Sequence, residues 1–555
     1  MRIIESLSQK KKTALAYLLA CLFVVGLIGF IMLFSHFRFE NSDDILFVKA
    51  FMGFEGGIPS NENLYTNPIL ASILATLSNK WTGIAWFSIL LVFSWIISLV
   101  IIIKEIIYYG LNNNKIILSI LFSGLFTSIF LLFDFARVSY TTTVAVLSTA
   151  AVVKCLTINF NSPFSFKKAL NFLCFALLIF LAFSIRRVAF IATMPFLIAC
   201  IAYKLIDCKN IKQWLAFLIL IVCIPLALYG VTEVVNLTEK KQTFRDFQIT
   251  RTALFDYTNF ESDAMPAITK TDIPESTIKL MQQWYFLDKD INADMFNELL
   301  NVYEKEQSIS SILNNMVDFF EGSNRYIYAV IVLVFMLGYI LLCRKNTLSA
   351  LFAICIFLGS VLLFIYLCYQ GRVLYRGVDC IFIPCASILF YLALTVAPPN
   401  KKICLANICI LIVICSGAIH FYNTFDLLNN TLDQVSLQRG NEVEKYALNN
   451  PNQLIVRTPN LYRDTRLFPD VSGGIPKNII IWGDFYCRTT TWYNQFNIVG
   501  IKGEDFMPKD WLKLTFATTD IPPIELTEHI SAALGREVVV KQTGEEGSIK
   551  FFNFE

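Results

Sequence analysis

Long apolar runs dominate the pattern of hydrophobic and polar positions along this chain. Each run is long enough to cross about 30 Å of hydrocarbon as an α-helix. Polar sequence is concentrated after the first run, between the seventh and eighth, and after the last. The pattern predicts a mainly α-helical polytopic membrane protein with eleven transmembrane helices, near 14–34, 83–103, 116–133, 141–158, 169–185, 188–206, 213–232, 326–343, 348–368, 379–397 and 403–420.

The polar portions predict further elements. Two amphipathic stretches, 45–54 and 68–77, follow the first run, and such stretches can lie in the plane of a membrane surface. Between the seventh and eighth runs, apolar residues recur every three or four positions, which predicts helices with Asn292 and Ser308 as N-caps. After the last run, QLIVRT, NIIIWG and EVVVKQ…GSIKFFNF predict strands, and ELTEHISAALGRE predicts a helix.

These patterns predict two domains. Residues 1–420 would form the transmembrane domain, including the first outer loop at 35–82 and the helical insertion at 233–325. Residues 421–555 would form a C-terminal α+β domain.

Composition supports membrane insertion. The chain is 55% hydrophobic and 16% charged, whereas soluble domains are about one quarter charged. Most of the fifteen cysteines lie within apolar runs, so no disulfide framework is expected. The N-terminal run continues well past Cys21, which favours an uncleaved first helix over a signal peptide.

The distribution of lysine predicts an orientation. Lysines occur at the N-terminus and in every second short connection, for example Lys104, Lys154 and Lys204, and short basic loops remain cytoplasmic. We therefore expect a cytoplasmic (inner) membrane protein with a cytoplasmic N-terminus. The insertion and the C-terminal domain would then be extracytoplasmic.

Five arginines oppose that rule, because they lie in three outer connections that contain no lysine. Arginine binds phosphate through a planar fork, whereas lysine offers a point charge. At the ends of spans, these side chains would meet a lipid-linked phosphate, although pairing with local acids is the alternative for each one. The predicted phosphate-binding residues are Arg137, Arg186, Arg187, Arg372 and Arg376.

Asp43 and Asp44 directly follow the first span, in FENSDDILF. A single acid at a membrane exit is usually only solvated. This pair, however, precedes two amphipathic stretches and is predicted to face the same side as the arginines. Both features favour a reactive carboxylate near lipid head groups.

The same arrangement resembles the GT-C superfamily of multi-spanning glycosyltransferases, which use polyprenyl-phosphate sugars. The stretches ITRTALFDYTNF and IPESTIKLMQQWYFLDKDINADMFNELL resemble an uncharacterised bacterial subgroup that carries an Arg–Asp-Tyr element and a Trp–Asp element. PKNIIIWGDF resembles the outer-domain signature of that subgroup. The matching residues of the first two elements are Arg251, Asp256, Tyr257, Trp284 and Asp288.

The resemblance implies an inverting hexosyl transfer from a polyprenyl-phosphate sugar to an acceptor glycan, lipid or protein. Asp43 or Asp44 would be the general base, with Asp43 favoured. No cofactor is certain. Mg²⁺ or Mn²⁺ on the two acids stays open, because oxygen sites usually need more ligands. Nucleic acid is not an expected partner.

Three aromatic residues, Tyr140, Tyr375 and Trp284, are candidates for contacts with sugar or lipid, although such residues are common at any membrane interface. His36 is expected to be a solvated interfacial residue. Asp256 and Asp288 have a structural alternative as helix caps.

Other functions remain open. An O-antigen polymerase or ligase would share the lipid-linked substrate but would not require acids after the first span. A transporter or flippase for lipid-linked glycans would place ionisable residues near the middle of the membrane, where these spans have almost none. A non-catalytic assembly protein would leave the five arginines unexplained.

Overall fold

The computed structural model describes residues 8–54, 57–161, 163, 165–206, 208, 211–303, 308–343, 347–396, 402–428, 433–461, 464–483 and 486–555. Helices predominate. In chain order they are α1 (Gln9–Phe34), α2 (Ser42–Met52), α3 (Pro68–Lys80), α4 (Trp86–Asn112), α5 (Ile116–Ala136), α6 (Tyr140–Thr157), α7 (Phe166–Ile185), α8 (Arg187–Ile206), α9 (Ile211–Val235), α10 (Glu239–Tyr257), α11 (Met265–Lys270), α12 (Glu275–Gln282), α13 (Ala293–Leu300), α14 (Ile309–Gly322), α15 (Asn324–Leu342), α16 (Thr347–Gln370), α17 (Tyr375–Thr395), α18 (Ile403–Leu428), α19 (Gln434–Asn449), α20 (Thr490–Gln495) and α21 (Ile524–Leu534).

Strands are short and form two sheets. The first sheet pairs β1 (Arg38–Phe39) with β2 (Arg137–Val138) in parallel. The second has the order β4-β3-β5-β7-β6, with parallel pairing among the first three strands and antiparallel pairing thereafter. Its strands are β3 (Ile455–Arg457), β4 (Ile479–Ile481), β5 (Thr515–Thr518), β6 (Val540–Glu546) and β7 (Ile549–Phe554).

The predicted fold class is confirmed. Among the described residues, eleven helices are long and apolar enough to cross a membrane: α1, α4–α9 and α15–α18. The structure contains the strands and the helix that were predicted for the tail. It also contains a helix at each of the two amphipathic stretches. Asn292 caps α13 through the backbone N–H groups of Asp294 and Met295, and Ser308 caps α14 through Ser311.

By contact, the chain divides into two compact units. The span unit comprises the described residues within 1–40, 89–230 and 308–431, and the sheet unit those within 41–88, 231–307 and 432–555. The first outer loop and most of the insertion thus group with the tail, which differs from the predicted boundary at residue 420. The reason is that the insertion shares a hydrophobic core with the tail.

Helices α6 and α17 form the centre of the span unit. The most apolar windows of these two helices are 94% and 89% buried, against 17% for α1 and for α9. Helix α6 packs against α7, α8 and α17. Its small residues, among them Ala145, Ala150 and Ala151, allow such close approach. The hydroxyls of Thr143 and Thr149 donate to backbone carbonyls within the same segment, so they are satisfied without water.

The two ends of the span unit carry different charges. At one end, Glu105 pairs with Lys104 at 2.8 Å and Lys154 at 3.0 Å, and Lys115 Nζ donates to the carbonyl of Leu394 at 2.7 Å. Lys104 and Lys154 lie within α4 and α6, and Lys115 directly precedes α5. The distribution of lysine in the sequence predicts that this end is cytoplasmic. Successive spans run in opposite directions, so the connections that contain arginine lie at the other end of the span unit.

Residues from the insertion and the tail form one core in the sheet unit. Phe247, Tyr285 and Phe286 of the insertion are buried with Trp482 and Trp511 of the tail. Aromatic side chains bury a large apolar area each, so a core built from them strongly favours association of the two segments.

Backbone contacts make this joint specific. Phe286 N–H donates to the carbonyl of Trp482 at 2.8 Å, and the indole N–H of Trp482 donates to the carbonyl of Gln283 at 3.1 Å. Gly483 lies against the carbonyl of Trp284, where an added Cβ would be only 1.6 Å from that oxygen. Two stretches that carry the family resemblance therefore meet at a structural joint.

We expect Gly483→Ala to destabilise the sheet unit by about 1–3 kcal/mol, the usual cost of overpacking, because the backbones must separate. Thermal unfolding of the purified protein would measure the loss. Gly473→Ala is a matched control, since its Cβ would make only an ordinary 3.6 Å contact with Leu448. Equal stability of the two variants would contradict the assignment of this joint.

Candidate active site

A buried ion cluster ties three spans together at the arginine-rich end of the span unit. The two terminal nitrogens of Arg325 pair with Asp134 Oδ1 and Asp379 Oδ2, each at 3.0 Å. The hydroxyl of Tyr326 donates to the other oxygen of Asp379 at 2.9 Å. Because buried charges require partners, this cluster fixes the ends of α5, α15 and α17 relative to one another.

Local sequence explains how these groups reach the same end. In α5 a π-helical turn at Thr127–Leu131 precedes the last turn, which carries Asp134. Such bulges occur frequently beside functional groups. Arg325 lies in the first turn of α15, and Asp379 follows the first turn of α17.

Pairing of β1 with β2 adds more charge to this end. The register places Arg38 opposite Arg137, and Glu40 N–H donates to the carbonyl of Val138 at 3.0 Å. The guanidinium of Arg137 lies 4.5 Å from the ring centroid of Phe133. Burial, followed by the nearby charge of Arg38, lowers the pKa of Arg137 to about 10, against the opposing effects of Glu40 and Asp134.

Glu40 responds to the same neighbours. Burial is the largest effect and raises the pKa of its carboxyl, and Asp134 adds to the rise, whereas Arg376, Arg325 and Arg137 oppose it. Four arginines thus act on one another and on three carboxylates in a partly desolvated region. Such an excess of cations favours an anionic ligand. The cluster comprises Arg38, Glu40, Asp134, Arg137, Arg325, Arg376 and Asp379.

The remaining predicted groups of the span unit lie in varied surroundings. Arg186 stacks 4.5 Å from the ring centroid of Tyr140 and donates to the hydroxyl of Thr141, whose carbonyl faces the thiol of Cys380 in α17. Tyr375 stacks on Tyr326, with ring centroids 5.7 Å apart. Tyr375 begins α17, the helix that also carries Asp379, whereas Tyr140 begins α6 and Arg186 directly follows α7.

Two further predicted arginines are Arg187 and Arg372. Arg187 lies over the ring of Tyr229 at 5.1 Å, and Arg372 is in the short connection between α16 and α17. Their role in phosphate binding stays a prediction. His36 is exposed, as expected for a solvated residue.

The two acids belong to the sheet unit, at the start of α2. Asn41 caps the helix, and its amide N–H donates to Asp43 Oδ2 at 3.1 Å. Asp43 is half-buried and Asp44 is fully buried. Negative charge is favoured in the first turn of a helix, so both carboxylates suit this position.

Helix α2 is held firmly within the sheet unit. Lys49 pairs with Glu444 at 2.7 Å and with Asp464 at 3.2 Å, and both acids come from the C-terminal portion. Burial alone would raise the pKa of Asp464, but Lys49 and Arg466 lower it to about 2. This network positions the helix that carries Asp43 and Asp44.

Trp284 and Asp288 have structural surroundings. The backbone φ of Trp284 is 67°, its ring packs 5.1 Å from that of Phe255, and Arg251 lies over it at 5.2 Å. Asp288 is not a helix cap. Instead it accepts from the hydroxyl of Tyr285 at 2.7 Å and pairs with His529 Nε2 at 2.5 Å.

Sequence reasoning missed Arg325 and Glu40. Arg325 begins a span immediately after the insertion, where a single arginine resembles ordinary loop charge. Glu40 lies three residues before Asp43 and is easily passed over beside the acid pair. The sequence did offer one signal for both residues, because each is ionisable and lies within a few residues of a predicted outer end of a span.

No group of three or more His, Cys, Asp or Glu is placed to hold a metal ion in the part of the chain that the structure describes. The question of Mg²⁺ or Mn²⁺ on the two acids therefore gains no further ligand from these residues.

These features define a multi-pass membrane protein with an α+β portion. No protein-family model and no curated protein matches the chain. Its structure is similar to that of ArnT from Cupriavidus metallidurans in the apo state, with 10% identity, 96% of this chain and 97% of that chain covered, and a TM-score of 0.46. It is also similar to ArnT from the same organism bound to undecaprenyl phosphate, with 10% identity, coverage of 96% and 98%, and a TM-score of 0.47. At values this low, the likeness carries no argument about chemistry.

We expect Arg325→Met to destabilise the span unit by about 3–5 kcal/mol, because two buried carboxylates would lose their counter-ion. Thermal unfolding in detergent would measure this loss, with the exposed Arg536→Met as control. Adding Asp134→Asn and Asp379→Asn should restore most of the stability. An Arg325→Met protein as stable as the wild type would contradict the role of this cluster.

Proposed function

We propose that this protein is an inverting membrane glycosyltransferase of the GT-C type. It would move a sugar from a polyprenyl-phosphate donor to an acceptor on the outer face of the cytoplasmic membrane. The observation that carries the proposal is the arginine-rich ion cluster at one end of the span unit. There, Arg38, Arg137, Arg325 and Arg376 outnumber the carboxylates that they surround.

The arginine-rich cluster lies at the ends of spans, and this position suits the phosphate of a lipid-linked donor. The phosphate of such a donor lies at the depth of lipid head groups while its polyprenyl chain remains in the hydrocarbon. Two of the five predicted phosphate-binding residues, Arg137 and Arg376, belong to the cluster, and Arg186 lies on a neighbouring helix end. Fixed cations aimed at a leaving phosphate stabilise the charge that develops on it, and such electrostatic stabilisation usually lowers the barrier more than any other effect.

One carboxylate of the pair would act as the base. The acceptor hydroxyl gives its proton to that carboxylate while its oxygen attacks the anomeric carbon. The bond from that carbon to the phosphate oxygen breaks, and its electron pair remains on the phosphate. A single displacement of this kind inverts the anomeric centre.

Asp43 suits the base better than Asp44. It remains half-buried, so a hydroxyl can approach it, and the amide of Asn41 orients one of its oxygens. Asp44 is fully buried, so an acceptor hydroxyl reaches it less readily.

Charge placement favours chemistry at the membrane surface over transport through the bilayer. Asp134, Arg325, Arg376 and Asp379 lie close to the ends of their spans. A transporter typically places ionisable groups near the middle of the bilayer.

We expect Asp43→Asn to reduce release of polyprenyl phosphate from a polyprenyl-phosphate sugar by about 10²–10⁴-fold, the usual contribution of a general base. Asp44→Asn should have the smaller effect on turnover. Both variants would be purified and assayed at matched concentration, with the exposed Asp272→Asn as control. Full activity of both would reject the assignment of the base.

We expect Arg137→Lys and Arg376→Lys to raise the KM for the lipid donor about tenfold while the charge is kept, since lysine cannot form the bidentate contact. The loss of one charge-assisted hydrogen bond is sufficient for that factor. Initial rates against donor concentration would measure it, with Arg536→Lys as control. Unchanged KM in both variants would refute the phosphate site.

A further inference from the structure

The sheet unit contains a large polar cleft that the mechanism above does not use. Its volume is about 760 Å³. Several segments line it: the loop between α2 and α3 with the start of α3, the end of α9 with the start of α10, the connection between α12 and α13, the residues around the start of α20, and Glu504. We call it the polar cleft, and its defining residues are Asn63, Asn236, Lys241, Phe244, Lys289 and Tyr493.

The walls of the polar cleft are tied together by hydrogen bonds. Asn63 Oδ1 accepts from the N–H groups of Tyr65 at 2.7 Å and Thr66 at 3.2 Å, which orders the loop. Glu62 accepts from the N–H of Thr490 at 2.5 Å. Asn67 Nδ2 donates to the hydroxyl of Thr232 at 3.0 Å, joining the loop to α9. The cleft is therefore a built feature of the sheet unit.

Most residues that line the cleft are polar or charged, although the carbon atoms of the lining contribute more surface than its polar atoms do. Amides and hydroxyls predominate, contributed by Asn61, Asn236, Thr243, Asn292 and Thr489. These groups both donate and accept hydrogen bonds, as sugar hydroxyls require. Two half-buried aromatic rings, Phe244 and Tyr493, add flat apolar surfaces against which a sugar ring can pack.

Charge in the polar cleft is predominantly positive. Three of its five cations are already engaged: Lys240 with Glu504 at 2.7 Å, Arg245 with Glu233 at 3.0 Å, and Arg488 with the carbonyls of Asp288 and Ile291. Among the described residues, neither Lys241 nor Lys289 has an ion pair within 4.0 Å, although the charge of Lys289 acts on the more distant carboxylate of Asp505. Their ammonium groups can therefore bind an anion without breaking an existing pair.

We propose that the polar cleft binds the acceptor as an anionic glycan, an oligosaccharide that carries phosphate or carboxylate groups. This rests on the proposed glycosyl transfer, for which it names the class of acceptor. Inorganic phosphate alone would fill only a small part of 760 Å³. A lipid chain would leave the amides and hydroxyls of the lining without hydrogen-bond partners. A neutral sugar would use the amides but leave both lysines without a partner.

Isothermal titration of the purified full-length protein in detergent tests the proposal without any donor. The probes are a phosphorylated maltotriose, trigalacturonate, neutral maltotriose and inorganic phosphate. At least one anionic trisaccharide should bind about tenfold more tightly than maltotriose, because one charge-assisted hydrogen bond contributes about that factor in affinity. Comparing the first two probes distinguishes phosphate from carboxylate as the recognised anion.

The test variant is Lys241→Ala combined with Lys289→Ala, which should weaken binding of the anionic trisaccharide at least tenfold and leave maltotriose unchanged. The matched control, Lys270→Ala with Lys541→Ala, removes the same charge from exposed positions of the sheet unit. Equal gel-filtration profiles would show that both variants fold.

The proposal fails if neither anionic trisaccharide binds the wild type, or if the test and control variants bind it equally. It also fails if inorganic phosphate binds as tightly as the trisaccharides, since the site would then recognise an ion only. Tight binding together with an absence of any lipid-phosphate release would reject the glycosyl transfer, and with it the role as acceptor, but not the glycan site itself.

Discussion

The arginine-rich end of the span unit depends on one interaction, the guanidinium of Arg325 held between Asp134 and Asp379. Each of these groups would be costly to bury alone, and their three helices come from distant parts of the chain. Satisfying all three charges at once fixes where α5, α15 and α17 end relative to one another. Arg38, Arg137 and Arg376 lie in the same region, and in the proposed function this concentration of arginine would bind the donor phosphate.

A comparable constraint organises the sheet unit, where the insertion and the tail are incomplete without each other. Trp284 and Gly483 meet backbone to backbone, and Asp288 joins Tyr285 to His529. Residues that mark the family resemblance therefore serve folding rather than chemistry. Folding in turn serves the site, because the tail supplies Glu444 and Asp464, which hold Lys49 and so the helix that carries Asp43.

Periodicity was sufficient to predict the eleven spans, the helices of the insertion and the caps at Asn292 and Ser308, because each depends on neighbouring residues. It could not predict that the insertion would pack with the tail, since that depends on which apolar faces meet. The importance of Arg325 was hidden for the same reason, as its partners lie 191 and 54 positions away. Arg137 and Arg376 lie in the same cluster and could be singled out from the sequence, because their exception to the charge rule is visible locally. Their role in phosphate binding stays a prediction.

The two proposed binding regions differ in their choice of cation, and the difference fits their ligands. The span unit uses arginine, whose rigid fork suits a phosphate at one fixed depth and orientation. In the polar cleft, the cations that have no ion pair among the described residues are Lys241 and Lys289, whereas Lys240, Arg245 and Arg488 are engaged by the protein itself. Lysine carries its charge on a flexible stem, so it tolerates variation in where an anionic group is attached to a sugar. Arginine would therefore suit a donor phosphate that is held in one position, and lysine would suit an acceptor whose anionic group varies in position.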